Sequence, residues 1–103
     1  MSKHDEIKSL IESYPCVLFM KGTQDFPQCG FSQHAVMILR KYQVNFHAVN
    51  ILEDQEMRQE LKVFSDWPTF PQLYVNQEFI GGVDILREMD EASELTALFE
   101  EVA

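Results

Sequence analysis

The residues with the strongest chemical potential in this 103-residue sequence are its two cysteines. Cys29 follows the polar loop 22–28 and directly precedes a helical pattern that begins at Gly30. A helix N-terminus lowers the pKa of a thiol, and the thiolate is the form that attacks sulfur or binds a metal. Lys21 would add a positive charge near the sulfur if the loop folds back. The sequence therefore predicts a reactive Cys29, with a small buried hydrophobic residue as the alternative.

The second thiol is not placed to assist the first. Cys16 begins the apolar run Cys16-Val17-Leu18-Phe19-Met20, which predicts a buried and inert side chain. A Cys-x-x-Cys motif would supply a second thiol at position 32 to resolve a mixed disulfide, but that residue is Ser32. We therefore expect Cys29 to act alone, with an internal disulfide to Cys16 as the less favoured alternative.

Three histidines could in principle join Cys29 at a metal site. His34 lies five positions along the helix from Cys29, at a poor angle for shared coordination, and His47 alternates with core residues of a predicted strand. We expect these two and His4 to be free histidines at the surface.

The spacing of apolar residues predicts the elements that must position Cys29. In chain order they are a helix over 3–13, a strand over 16–20, a helix over 30–42, a strand over 44–51, a helix capped by Asp54 and ended before Pro68, strands over 71–75 and 78–80, and helical spacing over 85–102 with Ser93 as a candidate new cap. Asn76-Gln77 is typical of a hairpin turn. The predicted order is αβαβαββα.

This order predicts an α/β fold. Strands joined through a helix pair in parallel with a right-handed crossover, and the hairpin adds an antiparallel edge. The result is one four-stranded mixed sheet with helices on both faces, which is the thioredoxin-like fold. Hydrophobic residues make up 46% of the chain and charged residues 24%, so one core should form without metals or disulfides. We predict a single domain over residues 1–103.

The charge balance excludes several classes of partner. Eight basic and 17 acidic residues give a net charge of −9, which should repel nucleic acids and anionic membranes. The N-terminal residues lack a basic region leading into an apolar run, and no stretch approaches the roughly 18 apolar residues of a membrane span. Only two cysteines in such a chain indicate a reducing compartment. We expect a cytoplasmic protein.

Several motifs occur together in one order and spacing. They are Phe19-Met20-Lys21-Gly22, Pro27-Gln28, Cys29-Gly30-Phe31-Ser32, Trp67-Pro68-Thr69-Phe70-Pro71-Gln72-Leu73 and Gly81-Gly82-Val83-Asp84. In these motifs the chain resembles the monothiol glutaredoxins of the Cys-Gly-Phe-Ser type, from about residue 7 to residue 102. The likeness is to the short, single-domain form of that family.

The resemblance implies a site for glutathione. It implies that Cys29 is the thiol that faces glutathione, and that Lys21 and Arg58 hold the glycine carboxylate of the tripeptide. Complementary charges suit a ligand that is charged at both ends. The alternative is that both cations are solvated surface residues. Arg58 lies beside the core-facing Met57 in the helical pattern rather than opposite to it.

The resemblance also assigns the other half of that site. It implies that Phe70, before a cis Pro71, offers its backbone to the cysteinyl part of glutathione. Val83 and Asp84 would meet the γ-glutamyl end, with the Asp84 carboxylate near the ammonium group. Phe70 could instead belong to the core, and Asp84 could also cap the helix after Gly82. Many members carry a second cysteine where this chain has Val83, so a disulfide to that position is ruled out here.

The resemblance further implies a [2Fe-2S] cluster. Such a cluster needs four ligands, and this chain offers one suitable thiolate, Cys29. In the family, two chains and two glutathione molecules complete the set and form a cluster-bridged homodimer. The implied function is carriage of the cluster to apo iron-sulfur proteins, and a BolA-type protein is an expected further partner.

Two other functions stay open at this point. The first is a glutathione-dependent thiol-disulfide oxidoreductase in which the Cys29 thiolate attacks mixed disulfides. The loop between Lys21 and Cys29 is longer than in dithiol relatives, which in the family accompanies weak turnover of this kind. The second is an adaptor that docks partners on its acidic surface and never handles iron.

Overall fold

The computed structural model describes residues 2–100 and 102. Its elements in chain order are α1 (Lys3–Ser13), β1 (Cys16–Met20), α2 (Gly30–Lys41), β2 (His47–Asn50), a short 3-10 helix (Ile51–Glu53), α3 (Gln55–Ser65), β3 (Gln72–Val75), β4 (Glu78–Gly81), α4 (Val83–Glu91) and α5 (Leu95–Glu100). Among the described residues, no helix is both long enough and apolar enough to cross a membrane.

The four strands form one mixed sheet in the order β2-β1-β3-β4. β1 pairs in parallel with β2 and antiparallel with β3, and β3 pairs antiparallel with β4. The turn between β3 and β4 is made by Asn76 and Gln77, whose φ angles of 48° and 71° are those of a tight two-residue hairpin. The predicted α/β fold, the mixed sheet and the hairpin are confirmed.

The central strand β1 separates two hydrophobic layers. Successive side chains of a strand point to opposite faces, so Leu18 and Met20 pack with α2, α4 and α5, while Val17 and Phe19 pack with α1 and α3. Every residue of β1 is buried. The continuous apolar run in the sequence therefore reflects a strand that is covered on both faces.

Strand β2 is shorter than the predicted strand 44–51. After α2 ends, Gln43 adopts a left-handed φ of 58°, and the N–H of Val44 donates to the carbonyl of Leu39. This geometry closes the helix and uses the first residues of the predicted strand. At the other end, the Asn50 side chain accepts the N–H of Leu52 and starts the short 3-10 helix.

The C-terminal helical pattern forms two helices, α4 and α5, rather than one. Ser93 has a left-handed φ of 59°, and its N–H donates to the carbonyl of Asp90, while the N–H of Glu94 donates to that of Met89. This pair of hydrogen bonds terminates α4. The prediction that Ser93 caps the next helix is wrong, because Ser93 ends the preceding one.

Candidate functional site

Cys29 occupies the N-cap position of α2, with extended backbone angles of −149° and 137°. Its pKa is lowered, chiefly by the backbone N–H of Ser32 and further by the N–H of Phe31 and the charge of Lys21, against opposition from partial burial. Sγ makes no capping hydrogen bond of ordinary geometry with the described residues, so the N–H groups act on it as nearby dipoles. The predicted position of Cys29 at the start of a helix is confirmed.

The loop before Cys29 folds back on the end of β1. The N–H of Gln28 donates to the carbonyl of Lys21 at 2.9 Å, and Gly22 pairs with Pro27 in an isolated bridge. Arg40 of α2 donates to the carbonyl of Gln24 at 3.3 Å and so ties the loop to the body of the protein. These contacts bring the chain from Lys21 back to Cys29.

The Ser32 side chain and the second thiol, Cys16, are both buried. Ser32 is fully buried, and its hydroxyl oxygen accepts the N–H of Lys21 at 3.1 Å. Burial raises the pKa of Cys16 to about 12, which keeps that thiol neutral near pH 7. Both cysteines are free thiols. Cys29 is therefore the one thiol of this chain that is accessible and acidified.

A cleft of about 410 Å³ opens beside Cys29. All six residues that the sequence analysis assigned to the site lie in its wall: Lys21, Cys29, Arg58, Phe70, Val83 and Asp84. They come from the end of β1, the start of α2, α3, the segment before β3 and the start of α4. The topology thus brings together side chains that are up to 63 positions apart in the sequence, from Lys21 to Asp84.

Arg58 reaches the cleft from α3. Its neighbours Met57 and Leu61 are buried in the core, while Arg58 is half-buried at the side of the helix. The Nε atom of Arg58 is buried and has no hydrogen-bond partner among the described residues. Arg58 is therefore only partly exposed to solvent, and it lines the cleft.

Comparison with known proteins decides the family. The glutaredoxin family model matches residues 16–80. "Monothiol glutaredoxin-5, mitochondrial" of Lachancea kluyveri is 54% identical over 98 residues, which are 92% of this chain and 68% of that protein. The chain belongs to the monothiol glutaredoxins. "Monothiol glutaredoxin-S14, chloroplastic" of Arabidopsis thaliana is 54% identical over 91 residues, covering 88% of this chain but 53% of the relative.

A solved structure supports the same assignment. The solution structure of reduced poplar apo GrxS14 superimposes with a TM-score of 0.83 at 50% sequence identity, and the match covers 95% of this chain and 90% of that one. The family and the thioredoxin-like fold expected from the sequence are both confirmed.

The side of the cleft formed by α4 differs in one respect from expectation. The N-cap of α4 is Gly82, which has no capping side chain, and Asp84 lies in the first turn with its carboxylate 84% exposed. Its closest ionic neighbour is Arg87, at 3.8 Å from Nη1 to Oδ1. The prediction that Asp84 caps this helix is wrong, and its carboxylate faces the solvent at the cleft.

Two apolar residues of this glutaredoxin serve the core and the cleft together. Phe70 is only 7% exposed and belongs to the core layer that contains Phe19, yet it also lines the cleft. The peptide bond between Phe70 and Pro71 is cis, as expected. Val83 is also buried and lines the cleft.

Seven further residues, which were not among the six predicted site residues, also line the cleft: Phe31, Trp67, Pro68, Thr69, Pro71, Gly82 and Ile85. Most of them lie inside the motifs quoted above. A tryptophan between a predicted helix and a predicted strand, as Trp67 is, was a sequence signal for the segment that contains it.

The histidines of this glutaredoxin are not all free. His47 stacks on Tyr14 with ring centroids 3.9 Å apart, and His4 Nδ1 lies 3.5 Å from an oxygen of Glu60. His4 and His34 are exposed, as expected, whereas His47 is half-buried against Tyr14 rather than free at the surface. Within residues 2–100 and 102, no group of three or more His, Cys, Asp or Glu side chains could hold a metal ion.

Proposed function

We propose that this chain binds glutathione in the cleft and, as a dimer, carries a [2Fe-2S] cluster to apo iron-sulfur proteins. One observation carries the proposal: a single acidified thiol, Cys29, opens onto a cleft whose charged groups match the two ends of glutathione. The chain spans only part of the length of several relatives, so this function is proposed for the described domain.

The side chains of the cleft fit glutathione chemically. Lys21 and Arg58 supply two cations for the glycine carboxylate, and the buried Nε of Arg58 would gain the acceptor that it lacks among the described residues. Asp84 supplies the anion for the γ-glutamyl ammonium group. Phe70 offers its backbone to the central cysteinyl unit, which would bring the glutathione thiol towards Cys29.

The number of available thiols favours a cluster that is shared between two chains. A [2Fe-2S] cluster takes four ligands, usually thiolates, and each chain offers only Cys29. Two chains and two bound glutathione molecules would supply four thiolates. Half of these ligands would be exchangeable small molecules at an exposed site, so the cluster would be cargo for transfer rather than a permanent group.

The surface around Cys29 suits protein partners. Phe31 and Phe26 are 61% and 74% exposed, and both lie close in sequence to Cys29. Exposed aromatic side chains of this kind are typical of protein contact sites. This supports the proposal that a second copy, an acceptor apoprotein or a BolA-type protein docks on this face.

Anaerobic reconstitution with iron, sulfide and glutathione tests the proposal. We expect the wild-type protein to become a coloured dimer with charge-transfer absorption. Cys16→Ala serves as the matched control and should behave like the wild type, because Cys16 is buried and its pKa is about 12. Cys29→Ala should remain colourless and monomeric. An equally stable cluster in Cys29→Ala would contradict the proposal, and a colourless wild type would favour the adaptor function.

The lowered pKa of Cys29 favours one second function, reduction of protein–glutathione mixed disulfides. The Cys29 thiolate would attack the glutathione sulfur, form a Cys29–glutathione disulfide and release the protein thiolate, which takes up a proton. A second glutathione thiolate would then attack that disulfide, yielding oxidised glutathione and the Cys29 thiolate. A glutathione-coupled reductase assay measures it, and brisk Cys29-dependent turnover would favour this enzyme over the carrier.

A cytoplasmic location remains our proposal. The free thiols Cys16 and Cys29 are consistent with a reducing compartment. Relatives carry mitochondrial and chloroplastic names, so family membership does not fix the compartment. Fractionation of cells that express the native gene would test it.

A further inference from the structure

Gln72, the first residue of β3, is a fully buried polar side chain. Its Nε2 atom donates two hydrogen bonds, to the carbonyl of Trp67 at 3.1 Å and to the carbonyl of Thr69 at 3.2 Å. One amide group therefore links the first residue of β3 to two carbonyl groups of the segment that precedes this strand.

That segment forms one wall of the cleft. Trp67 and Thr69 line the cleft, and residues 66–71 belong to neither a helix nor a strand. No ladder of backbone hydrogen bonds therefore fixes the segment. Besides Gln72, the Trp67 carbonyl accepts only a longer contact of 3.4 Å from the Ser65 hydroxyl among the described residues. The Gln72 amide is thus the main polar anchor of this wall.

The wall is also close to the start of α4. A Cβ atom placed on Gly82 would lie 3.2 Å from the carbonyl oxygen of Pro71 and 3.7 Å from Nε1 of Trp67. Because Gly82 lines the cleft as well, a small shift of Trp67 changes the width of the cleft.

The oxygen of the same amide, Oε1, indicates that a contribution to stability is not the whole reason for a glutamine at position 72. Its Oε1 is buried and has no hydrogen-bond partner among the described residues. Burial of an unpaired acceptor opposes folding and offsets much of what the two donated bonds contribute. Rotating the amide would bring an oxygen against two carbonyl oxygens, so only the observed orientation satisfies the segment.

We propose that Gln72 is a positioning residue for glutathione, which holds the Trp67–Thr69 wall of the cleft in its binding conformation. The inference rests on the proposed function, because it names glutathione as the ligand. Gln72 itself need not touch the ligand, since its amide acts through the two carbonyl groups.

The test compares Gln72→Met with the wild type. Methionine keeps the length and volume of the side chain but removes both donors. Gln59→Met is the matched control, because Gln59 is exposed on α3 and does not line the cleft. Three quantities are measured: the melting temperature, the emission of Trp67, which is the only tryptophan of the chain, and the affinity for reduced glutathione by nuclear magnetic resonance titration.

We expect Gln72→Met to melt within about 4 °C of the wild type, because the lost bonds and the removed orphan oxygen largely cancel. The emission of Trp67 should shift to longer wavelength, and the dissociation constant for glutathione should rise about tenfold, since a misplaced wall no longer orients the ligand. Gln59→Met should change none of the three quantities.

Unchanged Trp67 emission and unchanged glutathione affinity in folded Gln72→Met would overturn the inference. If the wild type itself fails to bind glutathione, both the proposed function and the role of Gln72 towards this ligand are overturned. A loss of glutathione affinity confined to Gln72→Met is the expected result and supports the inference. If Gln72→Met does not fold, the inference is tested instead by nuclear magnetic resonance on the side-chain amide of Gln72 in the wild-type protein. Slow hydrogen exchange and a shift of its signals on addition of glutathione support the inference, and rapid exchange without a shift overturns it.

Discussion

Substitution of Gly22 by alanine should destabilise the loop that delivers Cys29. Gly22 has a φ of 98°, a conformation that L-amino acids rarely adopt. A Cβ atom at this position would lie 2.6 Å from the backbone nitrogen of Gln28 and 2.6 Å from the carbonyl oxygen of Phe26. Both are backbone atoms of the same loop, so neither can move aside without opening the pairing between Gly22 and Pro27.

The two effects set the magnitude. Backbone strain at a forced left-handed residue is about 1–3 kcal/mol, and overpacking against rigid atoms is typically about 1–3 kcal/mol. A combined loss near 3 kcal/mol in the free energy of unfolding corresponds to a fall in melting temperature of roughly 12–24 °C for a domain of this size. Thermal and urea unfolding followed by circular dichroism would measure it.

Gly30→Ala is the matched control for this experiment. Gly30 is the first residue of α2, and a Cβ atom there meets none of the described atoms within 4 Å. Its stability should stay within about 0.5 kcal/mol of the wild type. A Gly22→Ala variant that melts within about 3 °C of the wild type would refute the reasoning about this loop.

The remaining predictions concern the thiols, the cationic wall and one helix cap. Because neighbouring N–H groups lower the pKa of Cys29, its alkylation by iodoacetamide should reach half-maximal rate at a lower pH than the alkylation of free glutathione. Cys16 should react only after unfolding. Peptide mass spectrometry measures both reactions, and a pH midpoint for Cys29 above that of glutathione would contradict the lowered pKa. Arg58→Ala should weaken glutathione binding by roughly 10- to 100-fold, the value of a charged hydrogen bond, and calorimetry that shows equal affinity would exclude this contact. Asp54 caps α3 by accepting the N–H of Met57, so Asp54→Ala should lower stability by about 1 kcal/mol at pH 7. The pKa of Asp54 is lowered in the folded protein, chiefly by its hydrogen bond with Lys3, so this stabilisation is present above the unfolded pKa near 4 and is lost as the pH falls through the lower folded value. Urea unfolding at pH 7 and at acidic pH compares the two proteins, and a gap that widens in acid would contradict the assignment.

Local patterns were sufficient for much of the fold. The run Cys16–Met20 is buried on both faces, and a continuous apolar run without alternation is what such a strand requires. Asn76 and Gln77 turn the hairpin, and Asn is one of the few residues that tolerate positive φ. The position of Cys29 followed from the point where a polar loop meets helical periodicity. Each of these features depends on residues close together in the chain.

Features decided by distant contacts were not predicted. Gln43 and Ser93 end α2 and α4 in left-handed conformations that sequence rules assign to glycine, and neither residue signals this in its type. The two helix ends are joined through Asp90 of α4, whose carboxylate accepts hydrogen bonds from the Tyr42 hydroxyl and the Lys41 ammonium group at the end of α2. Such contacts select where each helix stops, and periodicity within one segment does not contain them.

The site itself shows the same division. The resemblance to a family placed six residues in the cleft, but it did not show how each is held. The orphaned Nε of Arg58 and the two bonds from Gln72 to the Trp67–Thr69 segment depend on packing between α3, the segment before β3 and the sheet. Side-chain burial and hydrogen bonding between distant segments can be obtained only from the three-dimensional arrangement.

Native mass spectrometry of the anaerobically reconstituted protein tests the central claim most directly. We expect one species whose mass equals two chains, one [2Fe-2S] cluster and two glutathione molecules, because each chain contributes only the Cys29 thiolate. Preparation without glutathione or another small thiol should give metal-free monomer. A cluster-containing species of full stability that holds no glutathione would contradict the account.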